Sequence, residues 1–335
     1  MRFALSREQR DFSSSIAAML ADSDTPAAIR AWAGGKHEPG LALWRQLAEL
    51  GVTALAVPER YDGIGAGTVD LVVALEQIGY HAVPGPIAES LAAVPALLAE
   101  LGETDLAASR LPALASGTSI ATLKTPPAVP HALDADIAEL RLCLDGDAVL
   151  EFPRPDGAPL TSIDPARRLF DVPGGNTTRL ATAAAATERA LLLGTLACAA
   201  QLVGAGQWLL DSSVDYAKNR VQYGKPIGQY QAVKHMLADV ATELELARPL
   251  LHGAAVAVDS GTDTVRRDVS AAKVSAADAA YRAARTALQV HGAIGYTAEH
   301  ATGLWLTRVR ALHGAWGTQA WHRARVLGEL AGTGR

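Results

Sequence analysis

The stretch Ala190–Leu210, "ALLLGTLACAAQLVGAGQWLL", contains no charged residue and is long enough as a helix to span a bilayer. It therefore demands either a lipid environment or the centre of a large helical assembly. Its apolar content leans on alanine, and Thr195, Gln201, Gln207 and several glycines interrupt it. Small residues and amides suit close packing against other helices. A helix that is apolar all round is also what the middle of a bundle requires. The stretch is read as a buried helix of a cytoplasmic protein with no membrane partner.

The rest of the chain supplies the helices for such a bundle. Residues 1–115 read as helical, with loops at "GGKHEPG" and "PERYDGIGAG". Ser6 and Gln9 have capping-box spacing and open a soluble helix rather than a secretory leader. Thr68 is placed to cap "VDLVVALEQIG", which Gly79 ends. Residues 116–178 change character. Prolines cluster there, and Leu140, Leu142 and Leu144 alternate ahead of an Asp145-Gly146 turn, a hairpin signal. "RRLFDV" offers a further strand. Over residues 179–335 the chain is helical again. The spacing predicts helices at 187–219, 229–260 and 262–291, then two more within 298–331 broken around "HGAWGTQ". Val233, Met236, Leu237, Val240, Leu244, Ala247 and Leu251 form the inward stripe of the second, which Pro249 is expected to kink or break. The third has an inward face made mostly of alanine. Long helices with short connections imply an antiparallel bundle. The fold class is mainly α with a small β domain: an N-terminal α domain, a middle β region and a C-terminal helix bundle.

Several chemistries are excluded. The net charge is −5 and the basic residues are scattered, so no nucleic-acid face is expected. Cys143 and Cys198 stand in unrelated contexts and are read as buried, reduced thiols. The histidines and cysteines lack metal-ligand spacing, and no G-x-S-x-G elbow occurs. "GIGAG", Gly63–Gly67, lacks the G-x-G-x-x-G spacing and reads as a turn. Glu243 and Glu245 face different sides of their helix and read as a solvated face. Two stretches remain: "RVQYGKPIGQYQAVKH", Arg220–His235, and "QVHGAIGYTAEHA", Gln289–Ala301. Taken singly, Arg220 is a surface charge beside a turn and Gly292 a helix C-cap. Together they place side-chain donors and bare backbone at helix ends, which suits phosphate or ribose. The planar arginine fork donates paired, charge-assisted hydrogen bonds.

These stretches resemble the acyl-CoA dehydrogenase family. "NRVQYGKPIGQYQAVKHMLADV" is similar to its R-x-x-F-G-x-P-I…Q…AD signature, and "QVHGAIGYTAEH" to its Q-x-x-G-G-x-G-Y…E signature. "LWRQLAELGVTALAVPERYDGIGAG" is similar to the amino-terminal W…L…G…PE-x-Y-G-G-x-G stretch. The resemblance implies a dimer or tetramer that dehydrogenates an acyl-CoA thioester with FAD. It also implies that a carboxylate takes the α proton, and that an electron-transfer flavoprotein or similar acceptor reoxidises the cofactor. Carried over residue by residue, Arg220 would meet the FAD diphosphate and Tyr223 the adenine side. Gln231, Gln289 and the Gly292-Ala293 backbone would line the rest, with Thr318 also on the cofactor. Ala293 replaces the family's second glycine, a change that a backbone contact tolerates.

The departures are as informative. Counted from Gly295, the usual base position falls on Trp316, ahead of Gly317-Thr318. Counted back from Arg220, the position used by other members falls near Gly194. Neither is a carboxylate, so no catalytic residue is assigned. The β region is about half the family's length, and "ATLKTPPAVPHALDA" stands where the T-E-P…G-S-D flavin loop belongs. One hypothesis is a subunit without a base, completing the FAD site of a homologue that carries the catalytic glutamate. The resemblance is to the smaller subunit of actinobacterial α2β2 enzymes of steroid degradation. A second is a complete homomeric enzyme with a base among Glu299, Glu243, Glu245 and Asp239. A third is a non-catalytic assembly protein.

Overall fold

The computed structural model describes residues 4–172, 177–297 and 300–332. The first helical region comprises α1 (Arg7–Ala21), α2 (Thr25–Ala33), α3 (Glu38–Glu49), α4 (Thr68–Tyr80), α5 (Val94–Glu100) and α6 (Asp105–Ala115). A π-helical turn, Glu89–Ala93, leads into α5. The capping box is present: Ser6 Oγ accepts from the Gln9 amide, and Gln9 Oε1 accepts from the Ser6 amide.

Thr68 departs from expectation by one position. Gly67 is the N-cap, and Thr68 lies inside α4. The cap is supplied from far along the chain, because Asp259 accepts from the Thr68 amide at 2.9 Å and from its hydroxyl. Gly79 does not end α4 either. A Cβ there would lie 2.3 Å from the carbonyl oxygen of Gln201, and one on Gly204 would lie 1.9 Å from that of Glu76. The two glycines let α4 and the central helix touch backbone to backbone.

Between the helical regions, β1 (Ala121–Lys124), β3 (Leu140–Asp145), β4 (Ala148–Glu151) and β6 (Thr178–Thr182) form one sheet in the order β1-β3-β4-β6. β1 runs parallel to β3 and the other pairs are antiparallel. The expected hairpin is there, Asp145 facing Ala148 across Gly146-Asp147. The strand expected in "RRLFDV" is β5 (Leu169–Phe170), but it pairs with β2 (Ala132–Leu133) in a separate ribbon.

The bundle comprises α7 (Ala184–Asn219), α8 (Gln231–Ser260), α9 (Val265–His291), α10 (Thr302–Gly314) and α11 (Gln319–Leu330). A short ribbon of β7 (Val221–Gln222) and β8 (Lys225–Pro226) joins α7 to α8. Helix α7 is the one described helix that length and composition would allow across a bilayer, and 89% of its most apolar window is buried inside the protein. The alanine face of α9 is buried as expected, Ala272, Ala276, Ala280, Ala283 and Ala287 among it. Pro249 does not break α8, which runs on through it. It lies on the exposed face, where water can serve the carbonyl it cannot bond. Cys198 is buried, whereas Cys143 is only half-buried; both are free thiols.

A buried ion pair holds the regions together. Arg308 on α10 binds Asp164 of the middle region at 2.5 Å and donates to the carbonyls of Ala82 and Val83.

Candidate functional site

The two positions counted as base sites meet in space. Trp316 follows α10 with φ 57, a left-handed conformation unusual for a bulky residue. Neighbours hold it there. His322 Nε2 lies 2.8 Å from the Trp316 carbonyl, and the Gly317 amide donates to the carbonyl of Ala128. Burial pushes His322 down to about 4, so the ring is neutral and Nε2–H donates to that carbonyl. The Trp316 side chain is 1% exposed and lies across Gly194 of α7. A Cβ on Gly194 would stand 2.1 Å from the indole. There is therefore no carboxylate at either position, and the tryptophan occupies the space one on α7 would need.

The indole has a partner that sequence reasoning missed. Its Nε1 donates to Glu89 Oε1 at 3.2 Å. Glu89 is 1% exposed, and its Oε2 has no hydrogen-bond partner. Burial pushes its carboxyl up, against the Arg167 guanidinium and the bonds from its own backbone and Trp316. The available signal was a lone acid in the apolar run "PIAESLAAVPALLA". Glu89 and Trp316 line a cavity of about 420 Å³ between the middle region and α10, with Val129, His131, Leu133 and Arg167.

The cofactor candidates lie elsewhere, at the outer end of the bundle. Arg220 caps the end of α7 and Gln231 opens α8; both are exposed. Tyr223 is 94% exposed, with φ 52 in the turn of the β7–β8 ribbon. Gln289 is exposed on the last turn of α9, and Gly292 ends that helix at φ 62 with Ala293 exposed beside it. The rings of Tyr216 and His291 stack at 4.5 Å, which brings the end of α7 against the end of α9. Thr318 is not part of this edge. Its hydroxyl caps α11, and the adjacent Gln319 bonds Val274 and Asp278 of α9. At 1.5 Å per residue, that is about 16–22 Å along the helix from Gln289. The edge has the donor set for a diphosphate: an exposed guanidinium and two side-chain amides beside an exposed glycine helix end, whose own Gly292 amide donates to the Leu288 carbonyl.

The other carboxylates are surface ion pairs. Glu243 and Asp239 bind Arg282 at 2.7 and 2.9 Å, and Glu245 binds Arg248 at 2.5 Å. Glu299 lies outside the described residues. Among the described residues, no group of three His, Cys, Asp or Glu could hold a metal ion.

The chain's sequence matches the profile of the acyl-CoA dehydrogenase N-terminal domain over residues 6–118 and that of the C-terminal domain over residues 183–330. This chain belongs to the acyl-CoA dehydrogenase family, whose cofactor is FAD. It is 33% identical over 305 residues to the acyl-CoA dehydrogenase IpdE2 of Mycolicibacterium smegmatis, covering 91% of this chain and 93% of that one. Two solved structures share the fold. The Tcur3481-Tcur3483 steroid ACAD G363A variant superposes with a TM-score of 0.85 at 22% identity, over 97% of this chain and 98% of that one. The ChsE4-ChsE5 complex from Mycobacterium tuberculosis superposes with a TM-score of 0.80 at 23% identity, over 99% of each chain.

Proposed function

We propose that this chain is the subunit without a base in a heteromeric acyl-CoA dehydrogenase. It would act in the α,β-dehydrogenation of an acyl-CoA thioester, and a homologous partner would bring the catalytic glutamate. The observation that carries this reading is the indole of Trp316 packed over Gly194. Arg220 would hold the diphosphate of a FAD shared with the partner. Tyr223, Gln231, Gln289 and the Gly292-Ala293 backbone would line its adenosine end, and Thr318 would face a different cofactor region. FAD supplies the hydride acceptor; this chain's part is to bind and orient it. The two-protein composition of the Tcur3481-Tcur3483 and ChsE4-ChsE5 structures supports a mixed assembly. The Tcur3481-Tcur3483 enzyme is a steroid ACAD, which supports a bulky alicyclic acyl group. A cytoplasmic location and an electron-transfer flavoprotein as acceptor complete the proposal.

Arg220→Ala, purified with its partner, tests the clamp. A charged hydrogen bond to phosphate contributes about 1.5–3 kcal/mol. Its loss should weaken FAD binding by about ten- to a hundredfold and yield a flavin-poor complex. Full flavin occupancy in that variant would count against the assignment.

One observation favours a second reading, a complete homomeric enzyme: Glu89 is a buried carboxyl in contact with Trp316. A general base needs a dry site that raises its pKa, as this one does. Dehydrogenase activity in the chain alone, abolished by Glu89→Gln, would establish it.

A further inference from the structure

The subunit role proposed above makes no use of the cavity beside Trp316. Its volume of about 420 Å³ lies within the range of small-molecule sites. Its walls are largely apolar, with Val129, Leu133 and Trp316 among the buried side chains. Two of the lining residues are arginines, the half-buried Arg167 and the exposed Arg310. Among the described residues, neither guanidinium has a hydrogen bond or an ion pair. Their neighbours differ. Arg168 binds Asp136 at 2.6 Å and contacts His37, and Arg308 is held by Asp164. The Arg167 charge reaches inward. Burial pushes the Glu89 and Asp134 carboxyls up, and Arg167 opposes this at both. Burial pushes the Lys273 ammonium down, and Arg167 adds to that. Glu89 and Asp134 therefore favour the neutral form, and Asp164 is already paired. The charge on Arg167 is left without a counter-ion.

We propose that this cavity binds a small apolar carboxylic acid as its anion, the carboxylate on Arg167 and the hydrocarbon body against Val129, Leu133 and Trp316. A planar guanidinium donates two parallel, charge-assisted hydrogen bonds to a carboxylate. Apolar walls exclude water and strengthen that attraction. The exposed Arg310 adds positive potential that draws an anion in. A cationic ligand would meet both arginines and no ionised acid. A small hydrophilic anion would satisfy Arg167 and leave the apolar walls uncovered, so the ligand must carry a hydrocarbon body as well as a charge.

Calorimetric titration of the purified full-length assembly tests this with four probes: cyclohexanecarboxylate, cyclohexanecarboxamide, cyclohexylmethylamine and acetate. Cyclohexanecarboxylate should bind about tenfold or more tighter than each of the other three. Arg167→Gln should remove its advantage over the amide. Arg167→Lys keeps the charge without the planar fork, so it should bind the carboxylate more weakly than the native protein yet still prefer it to the amide. Arg285→Gln, on the exposed face of α9 and outside this cavity, should change nothing. The proposal is overturned if the amide, the amine or acetate binds as well as cyclohexanecarboxylate, or if that probe does not bind at millimolar concentration. It is overturned equally if Arg167→Gln keeps the advantage, if Arg167→Lys binds the carboxylate as tightly as the native protein, or if Arg285→Gln loses the advantage. Should Arg167→Gln fail to fold, the probe series on the native protein and on Arg167→Lys still decides.

Discussion

At the scale of single residues, the indole of Trp316 packs directly on Gly194. Gly194→Ala would drive a methyl into the indole and should destabilise the fold by about 1–3 kcal/mol through overpacking. Trp316→Leu would relieve that clash while opening space of its own. The double variant should therefore cost less than the sum of the two single changes. Additive costs in a denaturant titration would show that the residues do not share one space. Asp134 offers a second test. It is buried at φ 51, and its Oδ1 accepts from Trp32 Nε1 at 2.9 Å. Burial pushes its carboxyl up to about 8, against the Trp32 bond and the Arg168 charge. A raised folded-state pKa means that this stabilising contribution is complete below the ordinary aspartate range and is lost as pH rises through about 8. Asn keeps the acceptor, tolerates the left-handed backbone and cannot ionise. Asp134→Asn should therefore raise the Tm at pH 9 more than at pH 6. Parallel Tm–pH curves for the two proteins would contradict this.

At the scale of elements, Arg308 is the most consequential tie, joining the middle region and the loop after α4 to α10. Arg308→Leu would leave Asp164 buried and unpaired, at a cost of about 3–5 kcal/mol. A loss well under 1 kcal/mol in urea unfolding would refute that role. The same scale shows what the sequence could reveal. The capping box at Ser6, the Asp145-Gly146 hairpin and the alanine face of α9 depend on neighbours within a few residues, and all were legible. The end of α4 was not. Its cap comes from Asp259, 191 residues away, and Gly79 serves a helix crossing rather than a helix end. Glu89 escaped notice for a related reason: its burial is set by α10 and the middle region, which lie far along the chain. The helix ends at Arg220 and just after Gln289 were legible because local breaks follow them, Gly224-Lys225-Pro226 and Gly292. Thr318 was grouped with them by motif alone, and the fold sets it well away from Gln289.

At the scale of the whole molecule, the proposed function rests on a contrast between the outer edge of the bundle and its interior. The outer edge offers exposed donors and uncovered rings, Tyr223 at 94% and Tyr296 at 70% exposure. The interior holds Trp316 packed over Gly194, with no carboxylate at either position. Flavin stoichiometry reads this contrast out. The chain should be co-produced with its homologous partner, the complex purified, and bound FAD counted against each polypeptide. One flavin per two unlike chains is the expected result. A stable homomer of this chain alone carrying one flavin in every copy would contradict it.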